Sequence, residues 1–146
     1  MAADVPERVQ TLVRFFEQLQ RSDLPQLAQL YAAQAYFKDP FNEVRGWAQI
    51  ERIFEHMYEA LDQPHFVVTD QILQGRQCFL VWEFRFRFKR FDRSRWQTVR
   101  GSSHLRFDEQ GLVEFHRDYW DAAEELYEKI PGIAALMRWL RRQANR

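Results

Sequence analysis

Apolar and polar positions follow two different rhythms along the chain. In the first half the apolar ones recur every three or four residues. Val9, Leu12, Val13, Phe16 and Leu19 line one face of a helix expected over 6–21. Pro6 suits its first turn, where the missing N–H is not needed. Ser22 and Asp23 offer an N-cap to a short second helix, 24–33, through Leu27, Leu30 and Tyr31. A brief extended piece over 35–39 stops at Pro40, because a proline pushes the residue before it out of the α region. Gly46 opens a third helix, 46–62, with Ile50, Ile53, Phe54, Met57, Tyr58 and Leu61 on its inner face.

After Pro64 the period becomes two. Strands are expected over 65–73, 77–90, 95–107 and 112–121, with turns at Asp92-Arg93-Ser94 and Asp108-Glu109-Gln110-Gly111. In the second strand Leu80, Trp82, Phe84, Phe86 and Phe88 alternate with Val81, Glu83, Arg85, Arg87 and Lys89. One face is apolar and the other mostly charged, as in an antiparallel sheet covered on one side. In the last strand Glu114, His116, Asp118 and Trp120 share a face, and Val113, Phe115, Arg117 and Tyr119 share the other. The tail, 121–146, reads as a helical extension broken near Pro131-Gly132. Ile133, Leu136, Met137 and Leu140 recur there at helical spacing beside Arg138, Arg141 and Arg142, which suits a lid or a subunit contact. Helices followed by long antiparallel strands read as a single α+β domain over 1–146.

Composition narrows the partners. Aromatic residues make up 16% of the 146, which calls for an aromatic core, an aromatic-lined cavity, or both. Lys and Arg number 21 and so do Asp and Glu, so net charge gives no reason to expect a polyanion. The stretch 85–100 is basic and interleaved with Phe and Trp, but its strand aromatics face away from Arg85, Arg87 and Lys89, so no nucleic acid is expected. The single cysteine, Cys78, excludes an internal disulfide, and the four histidines lack metal-ligand spacing. No metal and no organic cofactor are expected. The longest apolar runs are far too short for a membrane span. The opening residues do not read as a signal peptide, so a cytoplasmic location is expected.

Several short segments carry a resemblance. They are Tyr36-Phe37-Lys38-Asp39-Pro40-Phe41, Gly46 with Ile50, the hairpin from Phe107 to Val113, and His116-Arg117-Asp118-Tyr119-Trp120-Asp121. From about Val9 to Tyr127 the chain resembles the SnoaL-like branch of the nuclear transport factor 2-like superfamily. That group includes ketosteroid isomerase, limonene epoxide hydrolase and polyketide cyclases. The resemblance implies a cone, in which helices cover a strongly bent sheet and a pocket lies between them. It also implies a homodimer. Trp96 on the outer face supports the same expectation, since exposed apolar surface marks an interface.

The resemblance carries site residues as well. Asp39 matches the isomerase base, an Asp before a Pro. Phe15 and Ser103 match its two oxyanion-hole positions, and Phe15 has no donor to offer. Asp118 matches one Asp of the epoxide hydrolase triad. The Arg and second Asp of that triad would come from the strand around Trp82 and Phe84, where Glu83 and Arg85 point outward by alternation unless a bulge moves them across.

The chain is therefore expected to bind a small, largely apolar molecule. Asp118, Asp39 and His116 are the candidate acid/base groups, and desolvation among rings would ready a carboxylate to hold a proton. Trp120, Trp82, Phe84, Tyr58, Phe54, Phe15 and Ser103 are the candidate ligand contacts. Isomerisation, cyclisation and hydrolysis all stay open, as does a non-catalytic binding or protein-interaction role.

Overall fold

The computed structural model describes residues 4–90, 93–127 and 132–145. The expected turn at Asp92 and the break at Pro131 lie outside these residues. Helix α1 spans Val5–Glu17; the Asp4 side chain accepts from the Glu7 N–H at its start, and Val9, Leu12, Val13 and Phe16 are buried. It ends four residues before the predicted boundary.

The expected helix over 24–33 is corrected. A 3-10 segment, Arg21–Gln26, contains Pro25 and gives way to a single α-turn, α2, at Leu27–Leu30. Strand β1 then runs through Tyr31–Lys38 and absorbs the brief 35–39 piece. Tyr31, Ala35 and Phe37 all face the core. A spacing of four puts two residues on one face of a helix or of a strand alike, so Tyr31, four residues after Leu27, looked helical. Pairing with neighbouring strands decides the matter. A short strand that periodicity did not reveal, β2 at Glu43–Arg45, pairs with β1 in antiparallel fashion. Gly46 follows at φ 92°, a left-handed conformation suited to glycine, and leads into α3 at Trp47–Ala60.

Strand β3, Leu61–Gln74, starts before Pro64 rather than after it. Two facts reconcile the proline with the strand. β3 lies at the edge of the sheet, and a register shift between Asp62 and His65, with Gln63 at φ 51°, takes up the irregularity. Strands β4, Gln77–Phe88, β5, Gln97–Phe107, and β6, Val113–Tyr119, complete a six-stranded sheet of order β2-β1-β6-β5-β4-β3. The pairing of β1 with β6 is parallel and every other pairing is antiparallel. The sheet curves without closing, and the helices pack on its concave side.

Trp82, Leu105 and Phe107 are buried on that side, as their alternation predicts, and Phe84 is half-buried there. Arg85 is exposed and pairs with Glu83 at 2.6 Å, so neither crosses to the concave face. The alternation in β6 needs one correction. The register with β5 shifts so that Phe107 faces Val113 while Arg106 faces Phe115. Glu114 is the extra residue and is exposed, whereas Val113 joins the core with His116.

After β6 come α4, Ala122–Glu125, capped by Asp121, and α5, Ile133–Ala144. Within the single chain Leu136, Trp139 and Leu140 of α5 stay about half exposed, at 55, 50 and 45%. The Met137 side chain lies outside the described residues. Among those residues, no helix is long and apolar enough to cross a membrane.

Candidate functional site

A cavity of about 370 Å³ opens between α3, the β1–β2 loop and the concave face of the sheet. Cavities of this size take drug-sized molecules. Phe37, Phe54, Phe66, Trp82, Phe84, Phe86, Phe88 and Trp120 make its wall mostly aromatic. Asp39, Asn42, His56 and Asp118 are the polar residues on it. A smaller chamber of about 30 Å³ lies deeper, against Phe16, Leu80, Ser103, Leu105 and His116. Phe54, Phe66, Trp82 and Asp118 border both spaces.

Asp118 is held from behind. Ser103, its partner across β5 and β6, donates to Oδ1 at 2.5 Å, and His116 Nε2 reaches the same oxygen at 2.6 Å. Behind Ser103, the Trp82 indole donates to its hydroxyl at 2.9 Å. Behind His116, the Tyr31 hydroxyl contacts Nδ1 at 2.6 Å. Burial, then the Asp118 carboxylate, then Cys78 raise the Tyr31 phenol well above its ordinary range, so it keeps its proton. The described residues offer that proton no acceptor but Nδ1. Tyr31 therefore donates to Nδ1, which leaves the ring hydrogen on Nε2, pointed at Asp118. Among the described residues nothing hydrogen-bonds the second oxygen of Asp118, Oδ2, and the side chain is 18% exposed. The chain Tyr31–His116–Asp118 thus fixes a carboxylate on the cavity wall with one oxygen available to a ligand.

Asp39 is placed differently. Its Oδ1 accepts from the backbone of Phe41 and Asn42 and from the Asn42 amide, which also reaches Oδ2 at 3.1 Å. This is an Asx turn, the local bond an aspartate makes at a turn, and it shapes the rim of the cavity while leaving Asp39 on its wall. The structure does not bring Phe15 or Tyr58 to the wall. Phe15 lies along a surface cleft beside Arg14 and Gln18, edge-on to Phe16 at 5.4 Å. The Tyr58 hydroxyl is buried with no partner among the described residues. Burial pushes it up to about 12.

Sequence reasoning missed Tyr31, Phe66 and His56. Phe66 was legible in the alternation with Val68. Tyr31 was not, because its partner lies 85 residues away across a parallel pairing. No group of three or more potential metal ligands occurs among the described residues.

The fold has many solved counterparts. One is a hypothetical protein with a ketosteroid isomerase-like fold from Catenulispora acidiphila DSM 44928, in complex with trimethylamine. It is 17% identical, with 84% of this chain and 92% of that one covered at a TM-score of 0.70. A nuclear transport factor 2-like protein of unknown function from Burkholderia pseudomallei is 18% identical, covering 80% and 92% at 0.69. A protein provisionally named a SnoaL-like polyketide cyclase, from Jannaschia sp. CCS1, is 13% identical, covering 85% and 92% at 0.69. At such identities these likenesses speak to fold alone. No curated protein matched the chain. The profile of the SnoaL-like domain matches residues 12–116, from α1 through His116, which is most of the chain. With the cone of helices over a bent sheet already traced, that match places the protein in the SnoaL-like domain family.

Proposed function

We propose that the protein binds a small, largely apolar molecule in the 370 Å³ cavity and moves a proton with Asp118, without a cofactor. One observation carries this reading: a carboxylate on an aromatic wall, fixed through one oxygen by Ser103 and His116, with the other oxygen available. Holding a base in one orientation before the substrate arrives is what proton-transfer catalysis needs. Ser103, His116 and Tyr31 serve as positioning residues. Trp82, Phe84, Phe54 and Trp120 grip the apolar body, and Asp39, the second carboxylate, sets the rim. The SnoaL-like fold is typical of polyketide cyclases and isomerases, which supports isomerisation, cyclisation or hydrolysis at an activated carbon. A homodimer through the outer sheet face is part of the reading, because Phe79, Trp96 and Ile72 are 39, 48 and 62% exposed.

The test is turnover of ketosteroids, terpene epoxides and β-keto esters by the natural protein and by Asp118→Asn. The variant keeps the shape and removes the base, so turnover should fall by about 10²–10⁴-fold with folding retained. Tight binding without turnover, the same in both proteins, would make this a binding module instead.

A further inference from the structure

The charge on the cavity wall is one-sided. Asp118 and Asp39 line it, and among the described residues no lysine or arginine does. Asp39 is met by four hydrogen bonds from its own turn. Among the described residues Asp118 keeps an oxygen with no donor, and it shares the cavity wall with the rings of Phe66, Trp82 and Trp120. A carboxylate in such surroundings is costly unless something positive or hydrogen-bonding meets it. The donors nearest to it do not reach the cavity: the Trp82 indole is spent on Ser103, and the Ser103 hydroxyl and the His116 Nε2–H are spent on Oδ1.

Aromatic faces carry partial negative charge and attract cations, more strongly where water is excluded. A quaternary or protonated tertiary ammonium has a charge spread over its alkyl groups, so it gives up little hydration on entering an apolar space. Wall and carboxylate then favour the same ligand. We infer that the cavity selects an apolar molecule bearing an ammonium group, with the rings of Trp82, Phe66 and Trp120 around the alkyl groups and Asp118 Oδ2 against the charge. This rests on the reading that the cavity is the ligand site; it does not require turnover.

The experiment compares phenyltrimethylammonium with its neutral isostere, tert-butylbenzene, by calorimetry at pH 7 and 0.1 M salt. The two have the same shape and differ in charge. The cation should bind about tenfold more tightly or better, and Asp118→Asn, which keeps the rings and loses the charge, should lose most of that preference. Thermal melting of the variant checks that it is folded, and the comparison in the natural protein stands without it. If the isostere binds as tightly as the cation, the ammonium inference is overturned and the apolar cavity survives. If the preference is undiminished in folded Asp118→Asn, the inference is also overturned, because the carboxylate then contributes nothing to it. If neither compound binds, both the inference and the cavity reading fail.

Discussion

At the scale of single residues, the proposed working group is the Asp118 carboxylate, held by Ser103 and by His116. Tyr31 is the far end of that chain, and its hydroxyl gives His116 Nδ1 its hydrogen bond in a site where His116 is 4% exposed. Tyr31→Phe removes the donor and leaves a buried acceptor unmet. The expected cost is about 1–3 kcal/mol in urea unfolding, together with a changed ¹⁵N signature of the His116 ring. A variant as stable as the parent, with an unchanged ring, would mean that the contact holds nothing. His116 and Asp118 were legible in the sequence because they sit two apart on one strand face, and side chains two apart share a side. Their partner Tyr31 was hidden, since only the parallel docking of β1 on β6 brings it close. Asp39 was legible as a residue before proline. Its commitment to a turn depends on Asn42, three residues on, folding back to it.

At the scale of elements, the concave face works because β5 makes room for β4. Trp82 faces Gly101 in the β4–β5 register. A methyl group there would stand 2.6 Å from the Trp82 ring and 3.0 Å from the Trp120 β-carbon. Gly101→Ala must therefore push the indole off its bond to Ser103 and unsettle both cavity tryptophans. Overpacking of this kind costs about 1–3 kcal/mol, readable as a lower urea midpoint; an unchanged midpoint would show the ring to be loosely held. The long strand β4 was plain from its alternation of apolar and mostly charged positions, and β5 from its place between two turns. What alternation could not reveal were the interruptions. The extra residue at Glu114 reverses the facing of Val113, and the irregularity at Gln63 lets a strand run through Pro64. Both depend on how a neighbouring strand docks, a long-range fact that local pattern does not contain.

At the scale of the whole molecule, three buried hydroxyl and thiol groups tie stability to pH. Tyr31 is raised well above 10.0, and burial pushes Tyr58 and Cys78 up to about 12. Each is neutral when protonated and holds its proton more firmly folded than unfolded. Their contribution is complete below the unfolded values, 9.0 for the thiol and 10.0 for the phenols, and is lost as pH rises through the folded ones. Urea midpoints should hold from pH 7 to about 9 and then decline; a midpoint still flat at pH 11 would contradict this burial. The claim that the concave cavity is where a ligand sits can be read most directly from the five tryptophan indole N–H signals in a ¹⁵N–¹H spectrum. Trp82 and Trp120 line the cavity, whereas Trp96 and Trp139 are about half exposed and Trp47 starts α3. On titration with phenyltrimethylammonium or tert-butylbenzene, the signals of Trp82 and Trp120 should shift while the other three stay in place. Shifts confined to Trp96 or Trp139, with the two cavity indoles unmoved, would contradict the account.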